Sequence, residues 1–400
     1  MDGARIDIDA AVLAARDVVK HTPVVSSLSL SQRTGGQVVL KAENLQRTGS
    51  FKIRGAMSKL AALGADAARG VVAGSAGNHA QALAYAARHA GVPCEIYVPL
   101  GASISKMEAC RAYGATLLEG GDSLDDAVAA AQARAADAGM AFCHPYDDAA
   151  VVAGQATLGR ELLADIDDLR RVLVPLGGGG LASGVAIALK RSDPTIEVIG
   201  VQVAACAPYA RGDVPSGAVV TLADGIAVKR PGAITRPLVE HWLDDIVVVD
   251  EEAVADAIVL LMERSKMMVE GAGAVGVAAL LSGQAAATPH GATCVVLSGG
   301  NIDLGLVPGL IRRHETHQGR RLILFVRISD RPGGLAGLLG LFAAERANLI
   351  DVEHVREGVD LHVRETGVTV VLEVRGPEHA DAVVAAAVAA GYDVERRPGV

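Results

Sequence analysis

Ser50-Phe51-Lys52-Ile53-Arg54-Gly55-Ala56 places a lysine in the first turn of a predicted helix, directly after a turn and beside an aromatic ring. The positive end of the helix dipole disfavours the charged form of a lysine at that address. A neutral amine is the form that attacks a carbonyl and makes an imine. An arbitrary lysine is a solvated surface residue, so the chemistry depends on what else the chain brings to it. Three polar or glycine-rich turns qualify. Ser75-Ala76-Gly77-Asn78-His79-Ala80-Gln81 follows an apolar run at Val71. Gly177-Gly178-Gly179-Gly180-Leu181 follows Val172 to Leu176, and Ser298-Gly299-Gly300-Asn301 follows Cys294 to Leu297. Ligands of open parallel sheets bind outside the carboxyl ends of the strands. Three such turns at equivalent edges therefore predict one shared site.

Four consecutive glycines let several backbone N–H groups converge, and a following helix adds its positive end, which makes a cradle for a phosphate. A flexible glycine linker is the plainer alternative, but these glycines are pinned between a buried strand and an apolar helix. A dinucleotide site requires Gly-x-Gly-x-x-Gly and an acid near the end of the next strand. Here the third glycine falls on Ala182 or Ser183, and Gln202 stands where the acid would. The turn reads as the seat of a single terminal phosphate on a small cofactor. Ser75, Asn78 and His79 offer a hydroxyl, an amide and free N–H groups at a helix mouth, which suit a carboxylate or a phenolic oxygen. An ordinary capped helix start would use the same residues. Ser298 on its own reads as a turn residue.

The elements that must position these groups alternate. Strands are expected at Gln37 to Lys41, Val71 to Ala73, Cys94 to Val98, Ala115 to Leu118, Arg171 to Leu176, Ile196 to Val203, Ile246 to Val249 and Thr293 to Leu297. Helices are expected at Ala10 to Lys20 with Asp9 as its cap, at Ser50 to Leu63, at about Asn78 to His89, and in most remaining gaps. Repeated strand–helix alternation predicts an α/β fold of parallel sheets covered on both faces. Arg312 to Gly319 is polar and reads as a linker, with His314 and His317 as solvated residues rather than a metal pair. Beyond it the pattern is β-α-β-β-α-β, the ferredoxin-like order. Strands fall at Leu322 to Arg327, Leu349 to His354, Gly367 to Val374 and near Asp393. Helices fall after the Arg331-Pro332-Gly333-Gly334 turn and near Glu378 to Ala390.

Four hundred residues suit two or three domains with sizeable cores. A net charge of −9 and no long basic run argue against nucleic acid and anionic membrane as partners. The polar start Met1-Asp2-Gly3-Ala4-Arg5 does not read as a signal peptide, and no apolar run is long enough to span a bilayer. Cys94, Cys110, Cys143, Cys206 and Cys294 are scattered and odd in number, so they read as buried free thiols in a reducing cytoplasm.

In their order, Glu43 to Ala56, Ser75 to Gln81, Gly177 to Leu181, Ala223-Asp224-Gly225-Ile226-Ala227 and Ser298 to Asn301 resemble the pyridoxal-phosphate lyases of the tryptophan-synthase β-subunit fold, and among them the threonine dehydratases (threonine ammonia-lyases). The resemblance implies two open, mostly parallel sheets over residues 1–315, the smaller lobe at roughly 54–155. It further implies a linker at 316–321 and an ACT-like regulatory domain at 322–400. The implied cofactor is pyridoxal 5'-phosphate, held by Lys52 as an imine, with Lys52 later serving as the base at Cα. Phe51 would pack beside the ring, Asn78 would bond its phenolic oxygen, Gly177, Gly178, Gly179, Gly180 and Leu181 would hold the phosphate, and Ser298 would face the ring nitrogen. Ser75, Asn78 and His79 would place the substrate carboxylate. A neutral serine at the nitrogen leaves the ring a weaker electron sink than a carboxylate would, which favours loss of a β-hydroxyl over reprotonation. The implied reaction takes L-threonine to 2-oxobutanoate and ammonia, and L-serine to pyruvate, with the cofactor phosphate as the acid for the departing hydroxyl.

The sister family is serine racemase, whose members carry a serine just before Gly-Asn-His; here that residue is Ala76. Metal-binding relatives carry a glutamate where Gln202 stands, so no metal site is expected. A non-catalytic amino-acid sensor is a further alternative, against which Lys52 argues. The ACT resemblance implies an amino-acid effector near Asp330, Gly333, Leu335 and Asn348, and a homodimer or homotetramer.

Overall fold

The computed structural model describes residues 6–102, 104–356 and 361–397. The polar start at 1–5, and residues 357–360 and 398–400 of the expected regulatory domain, lie outside them. Two compact units are present, Met1–Ile302 and Asp303–Val400.

In the first unit β1 (Val24–Ser26) and β2 (Gln37–Lys41) lead into a small sheet of β3 (Val71–Gly74), β4 (Cys94–Val98), β5 (Thr116–Glu119) and β6 (Ala141–Phe142). β7 (Leu169–Pro175), β8 (Glu197–Val203), β9 (Asp245–Val249) and β10 (Ala292–Val296) complete a larger one. The orders are β1-β2-β10-β7-β8-β9 and β5-β4-β3-β6. Every neighbouring pair is parallel except β1 with β2. Helices cover both faces of a parallel sheet, so its central strands are apolar throughout; Val172, Leu173 and Val174 have no exposed surface. The Gly271–Leu281 helix is apolar all round and correspondingly buried from Gly271 to Leu280.

Predicted strands at Gln37–Lys41 and Cys94–Val98 match to the residue, and the other six of this unit shift by one or two positions. The first helix differs. It runs Ile8–Ala15, and the cap is Asp7, not Asp9: Ala10 N–H donates to the Asp7 carboxylate at 3.0 Å. Starting at Ile8 lets Ile8, Ala11 and Ala15 share the buried face.

Strand neighbourhood sets the site. β2, β10 and β7 lie side by side, so the segments leaving their carboxyl ends are adjacent. β3 and β6 are likewise adjacent in the smaller sheet.

The second unit has β11 (Arg321–Ser329), β12 (Asn348–Val355), β13 (Glu365–Glu373) and β14 (Asp393–Arg396), with helices Gly334–Ala344 and Pro377–Ala389. This is the predicted β-α-β-β-α-β order, in an antiparallel sheet β12-β13-β11-β14. Leu322, Leu324, Val326 and Ile328 alternate along β11 and pack with Leu338, Phe342 and Val383 from the helices. The predicted linker is mostly helical instead, since a helix spans Val307–His317. Pro308 in its first turn and Leu310 on its one buried position favour that start. Among the described residues no helix is long and apolar enough to cross a membrane.

Candidate active site

Gly49 turns the chain with φ +73° into Ser50, which bridges to Gly299. Phe51 N–H donates to the Ser298 carbonyl at 3.1 Å, and Gly300 N–H to that of Gly49 at 2.9 Å. The segments after β2 and β10 are thus stitched together by their backbones. Lys52 opens the Lys52–Leu63 helix. Its Nζ donates to the Pro145 carbonyl at 2.9 Å and lies 5.2 Å from the centre of the Phe51 ring. Burial lowers this amine to about 8, and the Glu270 carboxylate counters part of that fall. At pH 7 roughly one amine in ten is then neutral, far more than for a solvated lysine.

Asn78 begins the Asn78–Ala90 helix after Gly77. Its amide Nδ2 donates to Glu270 Oε1 at 2.6 Å and its Oδ1 accepts from Asn301 Nδ2 at 2.8 Å. Ser75 Oγ accepts from Gly77 N–H at 3.3 Å. The His79 ring is buried, with Nε2 at 2.9 Å from the Cys143 carbonyl. Burial and then the Lys52 charge push it down to about 3, so it is a neutral donor that ties two loops together.

The four glycines form a tight cradle. A Cβ on Gly178 would lie 2.2 Å from the Tyr146 ring, one on Gly177 would lie 2.9 Å from Ile226, and Gly179 has φ +93°. Thr235 Oγ1 and Tyr209 Oη donate to the Gly178 carbonyl at 2.6 and 3.2 Å. In a trans peptide the Gly179 N–H then points the opposite way. The Gly180–Ser192 helix makes its first intrahelical bond from Ser183 N–H to the Gly179 carbonyl, so the N–H groups of Gly180, Leu181 and Ala182 face past its start. Gln202 supports this loop. Its Oε1 accepts from Tyr209 and Ala210 N–H at 3.1 and 3.0 Å, and its Nε2 donates to the Leu176 carbonyl at 3.3 Å.

Lys52, Phe51, Ser75, Asn78, His79, Gly177 to Leu181 and Ser298 therefore lie on segments leaving the carboxyl ends of β2, β3, β7 and β10. Ser298 is buried, with only 2 % of its surface exposed. In the second unit Asp330, Gly333 and Leu335 sit together at the turn after β11, where Arg356 makes a two-pronged contact with Asp330 at 2.9 and 3.1 Å. Asn348 does not join them. It pairs with Glu373, opposite Arg321 at the far end of the nine-residue β11, about 27 Å away.

Two contributors escaped the sequence reading. Cys143-His144-Pro145-Tyr146-Asp147-Asp148, after the two-residue β6, meets His79, Lys52 and the glycine cradle, and Asp147 accepts from the N–H groups of Ala233, Ile234 and Thr235. Glu270 is 5 % exposed. An acid set in the apolar run Met267-Met268-Val269-Glu270-Gly271-Ala272 was the available signal.

The residues present fit pyridoxal 5'-phosphate: a half-buried amine of lowered basicity for the aldehyde, N–H groups at a helix start in a cradle that side chains would fill, and an amide donor on a neighbouring loop. Residues 15–299 match the family described as "Pyridoxal-phosphate dependent enzyme". An L-threonine ammonia-lyase of Thermotoga maritima is 42% identical over 395 residues, spanning 97% of this chain and 98% of that protein. The solved structure of a T.th. threonine deaminase superposes with a TM-score of 0.69 at 38% identity, over 74% of this chain and 98% of that one. Maize serine racemase gives a TM-score of 0.72 at 33% identity, over 78% and 99%. The chain belongs to the pyridoxal-phosphate dependent enzymes.

Proposed function

We propose that the chain converts L-threonine to 2-oxobutanoate and ammonia, and L-serine to pyruvate and ammonia. The observation that carries this reading is Lys52, a half-buried amine whose pKa is lowered to about 8, at the junction of the loops after β2, β6 and β10. The cofactor, when bound, supplies the electron sink that makes the Cα proton removable. Lys52 takes that proton from one face. Ser75, Asn78 and His79, the last two through their N–H groups at the start of the helix, hold the substrate carboxylate. Ser298, uncharged, would stand at the ring nitrogen and, unlike a carboxylate, would not keep it protonated. Loss of the Cα proton and the β-hydroxyl removes one water. The released enamine tautomerises, takes up one water and gives the 2-oxo acid and ammonia.

Serine racemase is the rival, because a racemase superposes well. Racemisation needs a proton donor on the second face of Cα, and Ala76 has none to give. The test is purified holoenzyme with each amino acid, following 2-oxo acid and D-serine together. The expected result is 2-oxo acid from both substrates with D-serine only a trace. D-serine forming as fast as pyruvate would overturn it.

The Thermotoga relative matches through the second unit as well, which supports reading residues 322–400 as an ACT-like domain that binds an amino acid such as isoleucine or valine. Asp330, Gly333, Leu335 and Asn348 are its candidate effector residues; within one chain the first three share the turn after β11 and Asn348 lies at the other end of the sheet. The effector acts by binding two states of the enzyme unequally, in a homodimer or homotetramer. Deleting residues after 320 is expected to abolish the response of turnover to isoleucine and valine while preserving turnover. A truncated enzyme that still responds would place the effector site elsewhere.

A further inference from the structure

We propose that Glu270 and Asn301 are positioning residues that lock the Asn78 amide in the one orientation leaving an N–H, rather than its carbonyl, for the ring oxygen of the cofactor. The proposal rests on the cofactor reading above. An asparagine amide is nearly symmetric in shape, and a half-turn swaps donor for acceptor. A negatively charged ring oxygen is attracted by the donor and repelled by the acceptor.

The hydrogen bonds remove that choice. Asn78 Nδ2 donates to Glu270 Oε1 at 2.6 Å, and Asn301 Nδ2 donates to Asn78 Oδ1 at 2.8 Å. Asn301 is itself held, because its Nδ2 also donates to the Thr48 carbonyl at 2.8 Å. The chain of amides thus ends on a backbone carbonyl and a carboxylate, two groups that only accept. Reversing Asn78 would set its carbonyl against the Glu270 carboxylate and its NH2 against that of Asn301. With both partners in place, the second hydrogen on Asn78 Nδ2 is the one neither of them uses.

The surrounding backbone is cut to admit this chain. A Cβ on Gly299 would lie 2.4 Å from Glu270 Oε1 and 3.2 Å from Asn78 Nδ2. One on Gly49 would lie 2.3 Å from Asn301 Oδ1. Glu270 N–H donates to the Gly299 carbonyl at 3.0 Å, which ties the Glu270 main chain to that loop. A carboxylate is expensive to bury unless it is hydrogen-bonded, and the Asn78 amide supplies one such bond. Two other segments of sequence, at Glu270 and at Gly299 to Asn301, converge on the Asn78 side chain, and a third at Thr48 and Gly49 holds Asn301 in place.

The test uses the resting enzyme reconstituted with pyridoxal 5'-phosphate, read by its absorption spectrum, by the affinity of the apoenzyme for the cofactor and by the apoenzyme Tm. The visible band belongs to the form with a deprotonated ring oxygen, which an N–H donor stabilises. Glu270→Ala and Asn301→Ala are each expected to move absorbance from the visible to the near-ultraviolet band and to weaken cofactor affinity about tenfold. Asn78→Asp, which has no N–H to give, is expected to shift the spectrum the same way. Glu270→Gln, whose carbonyl can accept the same N–H, is expected to restore the wild-type band. A Glu270→Ala enzyme with wild-type spectrum and affinity overturns the proposal, whatever its Tm. So does a Glu270→Gln enzyme of wild-type Tm that keeps the Glu270→Ala spectrum, because charge rather than orientation would then be responsible. A wild-type protein that gains no visible band would instead refute the cofactor reading itself.

Discussion

Lys52→Ala is expected to abolish the visible absorption of the holoenzyme and to lower 2-oxo acid formation from L-threonine by roughly 10²–10⁴-fold. Two functions are lost together, the amine that bonds the cofactor and the base at Cα. The side chain is also irreplaceable by position. Its backbone is tied through Phe51 to Ser298, and its Nζ reaches Pro145 from the first turn of a helix. The pH dependence carries the same claim. Because burial lowers the amine to about 8, uptake of pyridoxal 5'-phosphate by the apoenzyme should rise with pH and level off above about 8, not near 10.5. The linkage has a definite sign. The folded pKa lies below the unfolded one, so the unfolded state binds more protons between about 8 and 10.5. This group therefore makes the apoenzyme more stable as pH rises through that window, and Lys52→Ala should remove that slope. A Lys52→Ala protein that stays coloured and turns over threonine at the wild-type rate would contradict the assignment.

Glu43→Ala should destabilise the first unit by about 3 kcal/mol. Arg54 and Glu43 have no exposed surface. The guanidinium meets Glu43 through two bonds of 2.8 Å, Glu161 through bonds of 2.7 and 2.9 Å, and Thr157 at 3.0 Å. Burial alone would push Arg54 down, but the two carboxylates outweigh it and hold its pKa above the ordinary value. Removing Glu43 leaves that charge half-compensated inside the protein. A buried ion pair adds little over apolar packing, whereas breaking one is costly. Lys41, equally buried, adds contacts to Glu161 at 2.7 Å and Asp165 at 3.0 Å. Its ammonium thus faces the carboxylates of both Glu161 and Asp165, the latter also met by His21 at 2.8 Å. Arg54 follows Lys52 by two residues on one helix, so the network anchors the Lys52 end of that helix to the β2 exit and to the Ala149–Asp165 helix. Glu43→Ala should lower the apoenzyme Tm by on the order of 5–10 °C and reduce turnover as well. An unchanged Tm would show that the network carries no stability.

The loops that the sequence made legible are those whose residues are unusual for local reasons. Gly177 to Gly180, Ser75 to Asn78 and Ser298 to Asn301 each follow a buried strand, and turn chemistry marks them without any tertiary knowledge. Lys52 became legible through the company of those turns. Glu270 did not, because its significance lies in reaching Asn78, 192 residues away in sequence. The loop after β6 was missed because β6 has two residues and gives no periodic signal. Glu43 and Arg54 fell within a matching motif, yet their pairing crosses 11 residues that include two short 3₁₀ turns, and no helical spacing announces it. The stretch from Arg312 to Gly319 misled through polarity. Its helix buries only Leu310, so the sequence there resembles a solvated linker. Asp330 and Asn348 stand on either side of one helix, and strand register puts them at opposite ends of the sheet within one chain.

Reduction of the holoenzyme with borohydride, followed by peptide mass spectrometry, bears most directly on the central claim. The reagent fixes the imine as a stable amine and marks the lysine that formed it. The expected result is one cofactor mass on the peptide that carries Lys52, with other lysines unmodified. A cofactor mass on a different lysine, or none in a protein that turns over threonine, would contradict it.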